Sequence, residues 1–98
     1  MVPRAISEAA IFRLGRLVAT PQALYTLEQQ GVTPFALLKR HASGDWGDVS
    51  AEDAMANQIA LQSGSRLFSA YRIGDDSRIW VITESDRSCT TILLPAEY

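Results

Sequence analysis

The sequence is poor in the residues that build metal and redox sites. It holds one cysteine, Cys89, and one histidine, His41. A single cysteine permits neither an intrachain disulfide nor a cysteine-based zinc site, and one imidazole leaves too few soft ligands for a transition metal. No metal and no cofactor is therefore expected. The lack of a disulfide framework fits reducing, cytoplasmic surroundings. No apolar run approaches the roughly 18 residues of a membrane-spanning helix, and the first ten residues lack the long apolar region of a secretory signal. No membrane association is expected. Basic charge is also short: nine Lys and Arg against eleven Asp and Glu give a net charge of −2 and a pI near 5.2. Non-specific nucleic-acid binding needs a net basic footprint, so nucleic acid is possible through a local patch but not favoured.

What is present suits one globular domain. Ninety-eight residues, 47% hydrophobic and 20% charged, can bury roughly 60–70% of the unfolded surface in a single core. Residues 1–10 read as a loose N-terminal arm or a short helical turn, and 11–98 as one α+β domain. Ile11 to Ala19 is apolar enough for a strand, with Phe12, Leu14 and Val18 on one face, although Gly15 and Arg16 interrupt it. Thr20-Pro21 then reads as an N-cap followed by proline at the first helical position, where a missing N–H is harmless. That helix runs through Gln30 and stops at Gly31, with Ala23, Leu24 and Leu27 as its apolar stripe. Thr33-Pro34 repeats the signal for a second helix over about 34–42, closed by Gly44. Ser50, with Asp53 three residues on, opens a third that ends before Gly64. Its largest apolar residues are Met55, Ile59 and Leu61.

Beyond Gly64 the hydrophobic period changes. Arg66–Ile73, Arg78–Glu84 and Cys89–Leu94 are rich in β-branched and aromatic residues, separated by turns at 74–77 and 85–88. The expected fold is thus α+β: an uncertain N-terminal strand, three short helices, then a three-stranded antiparallel meander. Four-residue turns would place Tyr71 opposite Trp80 and Ala70 opposite Val81. One face would then carry Phe68, Ala70, Ile79, Val81, Ile92 and Leu94, and the other Tyr71, Ile73, Trp80, Ile82 and Leu93. The helices can cover one such face. The second must meet the N-terminal segment, a partner or a ligand, so a protein partner or a homodimer is expected.

The densest stretch is His41 to Asn57, which holds the histidine, Trp46, two glycines and three aspartates. His41, near a helix C-terminus, reads as a cation on the helix dipole or as a general acid or base. Asp45 and Asp48 flank Trp46-Gly47 and suit an Asx-type turn, a helix cap or, with Asp53, a divalent metal site. Trp46 reads as a lid on the core or an exposed binding anchor. Asp53 and Asn57 share a helix face; Asn57 has little reason to sit mid-helix unless it satisfies the backbone of the preceding loop. Arg66, Arg72, Arg78 and Arg87 belong to the sheet region, as solvated strand edges or as an anion patch. The catalytic candidates are therefore His41, Asp45, Asp48 and Arg87. The binding candidates are Trp46, Asp53, Asn57, Arg66, Arg72, Tyr71 and Trp80. Cys89 reads as strand filler, and an enzyme is not favoured.

Three blocks, LGRLVATPQAL, HASGDWGDVSAEDAMAN and IWVITESDRSCTTILLPAEY, occur in that order and resemble a family of small "plasmid-related" proteins encoded on bacterial plasmids and integrative elements. The resemblance covers about residues 12–98. It implies no established activity and no defined chemistry; the function expected is a non-enzymatic accessory or interaction module of a mobile element that acts through a protein partner or self-association. A weaker resemblance joins Trp80-Val-Ile-Thr, the Asp86 turn and Thr90-Thr-Ile to the last hairpin of barnase-type ribonucleases. It implies a hydrolase or an inactive descendant of one. Arg87 stands where those enzymes carry a histidine after the turn aspartate.

Overall fold

The computed structural model describes residues 4–74 and 76–98. The first three residues of the expected arm, and Asp75 of the expected turn, lie outside the described residues. The fold is α+β, with four helices on a four-stranded mixed sheet. In chain order these are α1 (Arg4–Ala9), β1 (Arg16–Ala19), α2 (Pro21–Gln29), α3 (Pro34–Ala42), α4 (Ala51–Ser63), β2 (Leu67–Ile73), β3 (Ser77–Thr83) and β4 (Cys89–Leu93), with a closing 3₁₀ turn over Pro95–Glu97. Among the described residues no helix is long and apolar enough to cross a membrane.

The helix boundaries follow local chemistry. Thr20, Thr33 and Ser50 are extended N-caps whose side-chain oxygens accept from the N–H groups of Ala23, Ala36 and Asp53. Gly64 ends α4 in the left-handed conformation, which only glycine adopts without strain. Part of the arm is helical: α1 buries Ile6 in the main core.

The expected meander needs two corrections. First, the sheet has four strands in the order β1-β4-β3-β2, and β1 joins β4 in parallel. The N-terminal strand is also shorter than 11–19. Gly15 adopts φ +68, and a Cβ there would collide with the backbone of Arg87 and Ser88, so the chain turns and only Arg16–Ala19 pairs. Second, the β2–β3 register differs by one residue. Ile73 pairs with Ser77, so Tyr71 faces Ile79 and Ala70 faces Trp80. Three residues rather than four bridge the strands, and a one-residue slip exchanges the faces that meet. Leu67, Ser69, Tyr71 and Ile73 therefore lie with Ile79, Val81 and Thr83 under the helices. Phe68, Ala70 and Arg72 lie with Arg78, Trp80 and Ile82 on the outer face. The β3–β4 register, with Val81 opposite Ile92 and Trp80 opposite Leu93, matches a four-residue turn at 85–88.

The main core sits between α1–α3 and the inner sheet face, built from Ile6, Leu27, Leu37, Leu38, Tyr71, Ile79, Val81 and Ile92 among others. A smaller cluster joins Trp46, Ala60 and Leu67 beneath α4. Of the largest apolar residues of α4, Met55 and Ile59 are exposed and Leu61 packs against that cluster, while α4 buries Asn57 and Ala60.

Candidate functional site

His41 lies fully buried at the centre of a hydrogen-bond chain. Its Nδ1 is 2.6 Å from Ser69 Oγ and its Nε2 is 2.8 Å from Thr83 Oγ1. Thr83 Oγ1 lies 2.7 Å from Thr90 Oγ1, and Thr90 donates to the Leu14 carbonyl at 2.7 Å. The last acceptor fixes every proton upstream. Thr90 gives its only hydrogen to a carbonyl, so Thr83 must donate to Thr90, and His41 Nε2–H must donate to Thr83. The neutral ring then leaves Nδ1 to accept from Ser69. Burial pulls the His41 pKa down to about 3. The rings of Phe12 and Trp46 stand at centroid distances of 5.2 and 5.7 Å from the imidazole. His41 is therefore neither the dipole-neutralising cation nor an accessible acid or base. It is a neutral core residue linking α3 to β2 and β3.

The loop after α3 closes the outer edge of β2. Trp46 O accepts from Ala70 N–H, Asp48 N–H donates to Ala70 O, and Asp48 Oδ2 accepts from Arg72 N–H. Midway along α4, Asn57 accepts from Phe68 N–H and donates to Phe68 O. The N–H and C=O of Phe68 and Ala70 and the N–H of Arg72 are thus satisfied without another strand, which protects the sheet from pairing with a second chain there. Gly47 forms the bridge at φ +73, where a Cβ would collide with Ala70 O and the Tyr71 ring.

These contacts reassign most of the candidates. Asp45 holds Arg40 in an exposed ion pair at 2.6 Å and accepts from Gly47 N–H, an Asx-type turn. The hydrogen bond from Arg40 holds the Asp45 carboxyl below its usual range. Asp48 is an edge cap. Asn57 serves β2 rather than the preceding loop. Trp46 is a core residue, 6% exposed, and its Nε1 has no hydrogen-bond partner among the described residues. Tyr71, expected on a binding face, lies fully buried on the helix side and donates its hydroxyl to Asp45 O; the register shift put it there. Arg87, at φ 61, donates to the carbonyls of Ala60, Ser65, Glu84 and Ser85. It ties the last turn of α4 to the β3–β4 turn, where a cation suits the helix dipole. It also borders an open cleft of about 650 Å³ with Arg13 and Arg16, whose lining includes no carboxylate. Among the described residues no three His, Cys, Asp or Glu side chains converge to hold a metal ion.

Four binding candidates do come together. Asp53, Asn57, Arg66 and Trp80 line a groove of about 290 Å³ on the outer face, with Phe68 and Tyr98. Trp80 packs edge-on against Phe68 and Tyr98 at 5.0 and 5.7 Å, and the Arg66 guanidinium lies over the Tyr98 ring at 5.2 Å. Arg72 stands apart, exposed and directly opposite Arg78. Phe68 and Tyr98 escaped the sequence reading because the groove needs the true β2–β3 register and the return of the C-terminal turn. Thr83 and Thr90 were within reach: the four-residue turn already set these polar residues opposite each other on a face of Ile79, Val81 and Ile92. No protein-family model, no curated protein and no solved structure matches the chain.

Proposed function

We propose that the chain is a non-catalytic interaction module, an accessory protein of a mobile genetic element as its sequence blocks suggest, that works by associating with a second copy of itself. One observation carries this reading: β1 ends the sheet and pairs only with β4, so among the described residues no strand lies along its outer edge. Val18 on that strand is 40% exposed, whereas Ala70, Ile82 and Leu93 on the outer face are already buried within the chain. An unpaired sheet edge beside an exposed apolar side chain is a template for a second strand, and a two-fold dimer is the simplest closed arrangement. The groups a hydrolase would need work against catalysis. His41 is sealed in the core, Arg87 is bound to carbonyl oxygens, and the cleft beside Arg87 offers no carboxylate. Sedimentation equilibrium of the purified chain at tens of micromolar tests the reading. A dimer is expected; a monomer throughout that range overturns it.

A further inference from the structure

Two geometries could join two copies through this side of the sheet: face against face, or edge to edge along β1. We infer that two copies pair edge to edge, with β1 running antiparallel to β1 of the second copy about a two-fold axis at Val18. This rests on the self-association just proposed and adds the surface and the register.

The two sheet edges differ in kind. The β2 edge is closed by Trp46, Asp48 and Asn57. At the other edge, Arg16 N–H donates to Ser88 O and Thr20 N–H to Ile92 O. In a parallel ladder alternate residues bond to the neighbour, so Arg16, Val18 and Thr20 face β4, while Leu17 and Ala19 turn their N–H and C=O groups outward. Among the described residues these groups meet no backbone partner. An open edge of this sort is a template for another strand.

The register follows from which residues face out. Setting Leu17 opposite Ala19 of the second copy lets each pair exchange two hydrogen bonds, four across the axis. Val18 then meets its own symmetry mate as a non-hydrogen-bonded pair, at the closest side-chain approach of an antiparallel ladder. On the same face Arg16 falls opposite Thr20 of the other copy. The Thr20 hydroxyl donates to Glu97 Oε1 at 2.7 Å, so each Arg16 arrives beside a carboxylate. Charge thus complements charge twice across the axis. Face-to-face packing does the reverse, because Arg66, Arg72 and Arg78 are all exposed around the outer face and would confront their own copies. Edge pairing leaves the Trp80 groove open and yields a continuous sheet of four strands from each copy.

The test uses the full chain. Ala19→Pro removes an outward N–H while the Thr20-to-Ile92 bond stays, a change an edge strand accepts, and Val18→Lys sets two ammonium groups opposite each other. Each is expected to weaken association by about ten-fold or more with an unchanged far-UV circular dichroism spectrum. Val18→Cys in a Cys89→Ser background is expected to form an intermolecular disulfide on mild oxidation, since a facing pair in this register has the required spacing; Ile59→Cys in the same background is not. A dimer that survives Ala19→Pro and Val18→Lys but dissociates with Trp80→Ala or Ile59→Lys overturns the edge assignment and keeps self-association. A monomeric parent chain overturns both. Should Ala19→Pro unfold the chain, the Val18→Cys cross-link decides alone: its formation supports the edge, its absence in a dimeric chain refutes it.

Discussion

A histidine is neutral in a core when its surroundings offer one proton route and no counter-charge, and His41 meets both conditions. Its chain of hydroxyls ends on the Leu14 carbonyl, so protonated Nδ1 would have to displace the Ser69 hydrogen. The folded pKa falls to about 3, while the unfolded histidine keeps its ordinary value near 6.5. Between those values the unfolded chain binds the extra proton. Stability is therefore full above about pH 6.5 and declines as pH falls, by roughly 1.4 kcal/mol per pH unit. Since this is the only histidine, and carboxylates titrate mainly below about pH 4.5, the interval between isolates it. Urea unfolding from pH 7.5 to 4.5 should show that decline in the parent chain. His41→Leu should be less stable at pH 7.5, because Ser69 and Thr83 lose a partner, yet nearly flat over the interval. Parallel slopes for the two chains would contradict the neutral assignment.

At the level of elements, the three helices after β1 were legible because their signals are local: Thr-Pro and Ser caps, then Gly stops, act within one turn of the chain. The role of the loop after α3 was not legible for the same reason. Asp48 caps Arg72, 24 residues away, and Asn57 caps Phe68, 11 away; nothing in the spacing names those partners. Density of Gly, Asp and Trp marked the stretch as constrained, and the constraint proves to be a sheet edge. The β2–β3 hairpin shows how little separates a correct face from a wrong one, since one residue fewer in the loop moved Tyr71 beneath the helices. Asn57→Ala should leave the Phe68 N–H and C=O without partners, at a cost of about 1–3 kcal/mol. It should also open the β2 edge, so aggregation on warming, followed by light scattering, should begin earlier than in Ala56→Ser. Equal aggregation onset in the two would show that the edge is guarded without Asn57.

For the whole molecule, the element least visible in the sequence is the one that closes the sheet. β1 and β4 lie far apart in the chain and pair in parallel, so no turn joins them and no local pattern announces the contact. Only Gly15, tight against Arg87 and Ser88, hints at why the N-terminal segment is held there. The same long-range assembly separates the two tryptophans, which sequence reading set side by side as binding candidates. Trp46 is sealed between Phe12, His41 and Leu67. Trp80 lines an open groove with Phe68 and Tyr98. Truncating a buried large aromatic leaves a cavity and typically costs about 3–5 kcal/mol. Removing one that already touches water loses less apolar burial, roughly 1–2 kcal/mol here. Trp46→Ala should therefore lower the urea midpoint well below that of Trp80→Ala. The single-tryptophan chains Trp46→Phe and Trp80→Phe give a second reading of the same contrast. Acrylamide should quench the chain that keeps Trp80 strongly and the chain that keeps Trp46 weakly. Edge-to-edge pairing through β1 leaves the groove uncovered, so the Trp80 quenching should not change with protein concentration across the association range. Protection of Trp80 that grows with association would instead place this face, rather than the β1 edge, inside the interface.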